Sequence, residues 1–252
     1  MRHAWMGAHC RQLVAGNPRR VRARSVRLDA LGQRRMTVAT ILIVTTLIVV
    51  LGLALEAVNG NGGGQGLGHA LEALKQGTPA DKLKALELLA RVADMQVMPA
   101  LVRALRDGDV RVRAAAENVM WTIWLRSGKD QIDALMVEGV HLMELEHYPE
   151  AAEIFDQIIA GAPQFAEGYN KRATVYYLMQ EFEKSIADIH ATLELNPLHF
   201  GALSGMGLCY LGLEEPRQAL GWFERAIAVN PNMATIQSYI QQIREFLKNQ
   251  AF

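Results

Sequence analysis

Residues 166–197 read AEGYNKRATVYYLMQEFEKSIADIHATLELNP, and residues 200–231 read FGALSGMGLCYLGLEEPRQALGWFERAIAVNP. Both stretches end on proline, and Pro163, Pro197 and Pro231 stand 34 residues apart. A fixed period of this length is the signature of stacked repeats. Working outward, the residues in register are Leu135, Gly139, Leu142, Ala151 and Phe155 in a first unit. Tyr169, Ala173, Tyr176, Ser185 and Ile189 follow in a second, and Leu203, Gly207, Tyr210, Ala219, Phe223 and Ala226 in a third. Gly139, Ala173 and Gly207 are small where two helices must approach closely. Ala151 with Phe155, and Ala219 with Phe223, lie one helical turn apart, so that small and large side chains interdigitate. Proline cannot continue a helix, so each one closes a unit. A single helix pair cannot bury its own apolar face, and three must therefore stack.

In spacing and residue type, the three units over 132–233 resemble the tetratricopeptide-repeat (TPR) family, whose unit is a helix–turn–helix. The wording of AEGYNKRATVYYL and HFGALSGMGLCYL is similar to a group of bacterial and plastid TPR proteins known by fold rather than by chemistry. The resemblance implies an α-solenoid whose first helices line a concave groove that binds a protein or peptide. The groove residues it implies are Met136, Val140 and Met143 in the first unit, Asn170, Lys171, Thr174 and Tyr177 in the second, and Ser204, Leu208 and Leu211 in the third. Asn170 is suited to bonding a peptide backbone and Tyr177 to packing its side chains. One subset of the family grips the carboxyl terminus of heat-shock chaperones with Lys, Asn, Asn, Lys and Arg. The matching positions here are Met136, Val140, Lys171, Gly201 and Gly205, so that clamp is absent and an apolar or mixed segment is expected instead. After Pro231, the apolar spacing of Ile236, Tyr239, Ile240, Ile243, Phe246 and Leu247 predicts a closing helix over 234–252.

Upstream, the charge is lopsided although the formal net charge is +0. Residues 1–37 carry nine arginines against one acid, Asp29, whereas from Asn59 onward 24 acids face 17 basic residues. This asymmetry points to a membrane or targeting event, and the acidic repeats oppose phosphate contacts, so nucleic acid is not an expected partner. The arm over 1–35 reads either as a disordered cytoplasmic segment or as an organellar transit peptide. Met36 to Leu55, MTVATILIVTTLIVVLGLAL, is twenty residues without a charge, long enough to span a bilayer core as a helix. Arg34 and Arg35 on one side place the amino terminus inside and the repeats across the membrane; a transit peptide would make that membrane chloroplast or mitochondrial. The glycine-rich stretch within 57–70 reads as a flexible tether.

Residues 71–128 return to helical spacing, with stripes at Leu83, Leu86, Leu89 and Ala93 and at Met98, Leu101 and Leu105. The stretch VMPALVRALRDGDVRVRAAAENVMWTI, with its Asp107-Gly108-Asp109 turn followed by Arg111, Arg113 and an alanine run, resembles a HEAT-type repeat. Asp109 is placed to cap a helix. This segment is expected to cap the amino end of the solenoid, with Trp121 and Trp124 packing the junction to the first repeat.

The search for chemistry yields little. His141 and His147 share no helix face, Glu138 and His141 form a lone Glu-x-x-His, and Ser127 and Ser204 have no base partner. Cys10 and Cys209 form no metal or redox spacing, and Cys209 reads as a small core residue. No cofactor, metal or catalytic residue is assigned. The sequence therefore predicts an all-α chain: one HEAT-like unit, three TPR units and a capping helix behind a single transmembrane helix. Its expected role is a membrane-tethered scaffold or adaptor for a protein partner. The alternatives are a self-associating homo-oligomeric solenoid or an accessory subunit of an enzyme.

Overall fold

The computed structural model describes residues 63–249, and among these it contains eleven α-helices and no strand. The arm over 1–35 and the apolar run Met36–Leu55 lie outside the described residues. Among the described residues no helix is long and apolar enough to cross a membrane.

Four helices form an amino-terminal block: α1 (Gly63–Gln76), α2 (Pro79–Val92), α3 (Met98–Ala104) and α4 (Val110–Trp124). The stretch expected to be a tether is thus helical from Gly63, and it is held there by apolar burial: Ala70 and Leu74 sit 2% and 6% exposed in the block's core. Local chemistry sets the helix starts. Thr78 and Asp81 form a capping box ahead of Pro79, and the Asp109 carboxylate accepts from the Arg111 N–H at 2.8 Å. Arg111 returns to Asp109, while Arg113 reaches the Asp107 and Gly108 carbonyls. Leu86, Leu89, Leu101, Leu105, Val112 and Met120 make the core, and Phe200, ninety residues beyond Val110, completes it.

The repeats follow as α5 (Asp130–Glu144) with α6 (Tyr148–Gly161), α7 (Ala166–Leu178) with α8 (Phe182–Leu195), and α9 (Phe200–Gly212) with α10 (Pro216–Val229). The α11 helix (Ala234–Asn249) buries Ile236, Ile240 and Ile243 against Leu211 and Phe223, closing the carboxyl end. Inside each unit the turn contains one left-handed residue, Glu146, Gln180 or Glu214, at φ 61°, 63° and 61°. The residues after them donate back to the Leu142, Tyr176 and Tyr210 carbonyls, at 2.9, 2.8 and 2.8 Å, as in a Schellman turn. Successive units are tied by Arg172, whose guanidinium takes Asp188 with two nitrogens (2.7 and 2.6 Å) and Asp156 with a third (2.6 Å). One side chain thereby joins α6, α7 and α8.

The amino-terminal block does not sit on the end of the stack. It lies along the edge made by the turns between units. Arg106 donates to the Ala228 and Val229 carbonyls, and Arg113 to Asn232 (3.0 Å). Asn232 in turn donates to the Leu105 carbonyl at 2.8 Å. Trp121 and Trp124 accordingly pack not on the first repeat but on His199 and Phe200, where the third begins.

Candidate partner-binding site

The first helices α5, α7 and α9 lie side by side, and each also rests on the second helix of the unit before or beside it. What they leave exposed defines their free face. Val137 is 57% exposed on α5 and Leu178 42% on α7, with Thr174 exposed between them. The repeat register aligns these positions: Lys171 is the counterpart of Val137, and Leu208 of Thr174. Gly205 continues the face on α9, whereas at Gly212 the Phe182 ring covers the equivalent position.

The residues implied by the sequence separate into two groups on this scaffold. Lys171, Thr174 and Leu208 reach the free face, each exposed or half-buried, as does the half-buried Val140 at the same repeat position as Thr174, and Tyr177 borders it. Met136 is buried with Phe155, Ile158 and Val175, and Val140 and Met143 pack against the same cluster. Asn170 is 8% exposed and gives its amide to Glu167 at 3.1 Å. The Ser204 hydroxyl donates to the Gly201 carbonyl at 2.9 Å, and Leu211 is 1% exposed against α11. Tyr177 packs beside Ala173 and Met206, with its ring centroid 5.9 Å from that of Phe182. Burial pushes the Tyr177 phenol up to about 12, with smaller influences from Tyr239 and Cys209. Val137 and Leu178 were not singled out from the sequence, although the register shared with Lys171 marks Val137.

A buried polar group anchors the foot of this face. Glu167 and His199 have fully buried side chains, joined at 2.8 Å between Oε2 and Nε2. His199 Nδ1 accepts the Ala202 N–H at 3.0 Å, capping α9, so the ring carries its proton on Nε2 and gives it to the carboxylate. The other Glu167 oxygen takes Lys171 (3.2 Å) and Asn170. Burial would raise this carboxyl; the Lys171 charge and the bonds from His199 and Asn170 outweigh it and hold it well below the usual carboxylate range. Trp124 lies flat against the His199 ring. No sequence signal announced Glu167, because its partner His199 lies 32 residues away, at the start of the next unit.

Elsewhere the chemistry is quiet. Cys209 is buried, its thiol donates to the Ser185 hydroxyl at 3.2 Å, and burial pushes it up to about 11. Among the described residues no group of three His, Cys, Asp or Glu is placed to hold a metal ion.

No family model matches the chain. A TPR repeat-containing protein of Rhizobium etli is 32% identical over 142 residues, covering 56% of this chain and 70% of that protein. The chain belongs to the tetratricopeptide-repeat family. Among solved TPR structures, the first TPR of Spaghetti (RPAP3) bound to an HSP90 peptide is similar at 21% identity and a TM-score of 0.46, covering 50% of this chain and 98% of that one. The Sgt2 TPR domain from Aspergillus fumigatus is similar at 20% identity and a TM-score of 0.47, over 49% and 83%. The TPR units here carry glycine at 201 and 205, so that Lys171 is the one cation among the first-helix positions compared with the chaperone clamp.

Proposed function

We propose that this TPR protein is a scaffold or adaptor, tethered to a membrane through Met36–Leu55, that holds a protein or peptide partner on the free face of its first helices. The observation that carries the reading is Val137 and Leu178 standing exposed beside Thr174 and Lys171 on a layer backed by the second helices. Exposed apolar side chains along the first-helix layer suit a helix or extended segment with apolar anchors. Lys171 is already engaged by Glu167, and Gly201 and Gly205 offer no charge, which disfavours a terminal carboxylate as the anchor. The uncharged run Met36–Leu55 behind Arg34 and Arg35 supports the tether, with the amino terminus inside and the repeats opposite. Tethering raises the local concentration of whatever the face holds, which fits a role in assembling a complex at that membrane.

The test is proximity labelling by the full-length chain in its membrane, with wild type against the triple variant Val137→Glu, Thr174→Glu, Leu178→Glu. These positions are exposed, so thermal unfolding should change by no more than about 0.5 kcal/mol per site. Loss of the labelled partners with an unchanged melt supports the face; an unchanged set of partners rejects it. Alkaline extraction that releases the full-length chain from membranes would reject the tether.

A further inference from the structure

In the second and third units, one side of the first helix packs against the unit before. Gly168 lies so close to α6 that a methyl there would fall 2.9 Å from Ile158, and Val175 is fully buried with Phe155 in the first unit's cluster. Arg172 bonds Asp156 on α6, and Met179 packs on the same cluster. One repeat later Ala202, Met206 and Cys209 are buried, and the Cys209 thiol donates to Ser185 on α8. The register sets Ala134, Glu138, His141 and Leu145 at these positions along α5 and at its carboxyl end. All four are exposed, Leu145 at 52%. The amino-terminal block lies along the turn edge and leaves this side uncovered. The first helix of the stack therefore stands bare where its counterparts receive a second helix.

The two ends of the stack differ. The carboxyl end is closed by α11, whose outer face carries Arg244, Glu245 and Lys248 and exposes no large apolar side chain. A polar outer face of that kind is what a terminal helix needs for solubility. The amino end keeps Ala134 and Leu145 in water, bordered by Val137, and its charge has a single sign. Residues 130–170 hold nine acids and no lysine or arginine. Asp133 is engaged by Ser127, Asp156 by Arg172, and Glu167 by His199 and Lys171. Asp130, Glu138 and Glu144 are exposed on α5 and meet no cation among the described residues.

We propose that the bare side of α5 docks a cationic amphipathic helix of a partner protein, seated on α5 as α6 is seated on α7. The apolar stripe of that helix covers Ala134, His141 and Leu145, and its lysines and arginines meet Asp130, Glu138 and Glu144. A second copy of the chain is a poor occupant. Its own α5 would bring the same acids, and its α11 offers no apolar anchor. This surface is the end of the stack rather than the first-helix face, and it does not depend on the partner reading.

The experiment places a photoreactive residue at His141 or at Thr174 of the purified full-length chain in nonionic detergent. Two helical peptides as long as α5 are titrated, one built of Leu, Ala and Lys and one with Glu in place of Lys. The Lys peptide should crosslink saturably from His141 and not from Thr174, and the Glu peptide should crosslink from neither. Glu138→Lys with Glu144→Lys should weaken the Lys peptide about tenfold, and Leu145→Gln should weaken it by about as much without a change of charge. All three positions are exposed, so the melting temperature should not fall. No saturation up to about 1 mM, crosslinks from Thr174 alone, equal crosslinking by the Glu peptide, or indifference to Leu145→Gln would each overturn the proposal. Crosslinks from His141 to a second copy or to residues 1–37, with no peptide added, would give the surface to those occupants and overturn it as well.

Discussion

Trp124 lies nearly parallel to His199, their ring centroids 4.3 Å apart with 19° between the planes, although one closes the amino-terminal block and the other opens the third repeat. With Trp121 at right angles to Trp124 (85°) and Phe200 completing the block's core, this contact makes the block and the stack one packing unit. Trp124→Ala should destabilise the protein by about 3–5 kcal/mol, the range for emptying a buried aromatic site. The denaturant transition should also broaden, because the block is then tied to the stack chiefly by Phe200 with Leu198, Val229 and Met233 and by the hydrogen bonds of Arg106 and Arg113. A transition of unchanged width and midpoint would show that the edge contact is not what couples the two parts.

Glu167 makes that junction pH-sensitive. Its folded carboxyl is held below its unfolded value, so the stabilisation is present above the unfolded value of about 4.3. It is lost as the pH falls from there towards the lower folded value, because the unfolded chain then binds the proton more readily. Glu167→Gln should remove roughly 1–3 kcal/mol at pH 7 and flatten the decline in stability between about pH 5 and 2. Chemical unfolding across that range reads both effects; a parallel pair of pH curves would assign the acid sensitivity elsewhere.

The small residue of each first helix is matched to the large residue of its partner. A methyl on Gly207 would fall 2.5 Å from the Phe223 ring, and one on Gly139 2.7 Å from Phe155, whereas the middle unit pairs Ala173 with Ile189. Gly207→Ala gains helix propensity but should still cost about 1–3 kcal/mol through overpacking, since Phe223 is fully buried. The double variant Gly207→Ala, Phe223→Ile copies the middle unit and should recover part of that loss. A double-mutant cycle with a coupling near zero would contradict the match.

Glu146, Gln180 and Glu214 hold the left-handed turn position at a steric cost for L-residues of about 1–2 kcal/mol. Gln180→Gly relieves it and should raise stability by up to about 1 kcal/mol, after the entropy a glycine loses on folding. Thermal unfolding checks the sign; destabilisation would mean that the Gln180 side chain contributes more than its backbone costs.

These residues also show what could be read from the sequence. The 34-residue register located the helix pairs because proline, glycine and the small–large alternation act locally. The turn residues were invisible, since glutamate and glutamine carry no propensity for the left-handed region. Asp109 was recognisable as a cap because its partner is two residues away. Glu167 was not: Asn170 and Lys171 share its helix, but His199 meets it only after the units stack. The same long-range packing explains the amino-terminal block. Its apolar stripes were legible, but its place along the turn edge depends on Trp124, Phe200, Arg106 and Asn232, which lie far apart in the chain. The glycines from Gly63 onward argued for a tether, and burial of Ala70 and Leu74 against the block overrides that local preference. At the free face, Met136 and Leu211 were grouped with Thr174 because helical spacing alone cannot distinguish a residue facing the groove from one facing the next helix.

The claim that a partner rests on the first-helix face is tested most directly by site-specific photo-crosslinking from the full-length protein in cells. A photoreactive residue at Thr174 should crosslink to a partner protein, and one at Gln242, exposed on α11, should not. Crosslinks from Gln242 with none from Thr174 would contradict the account.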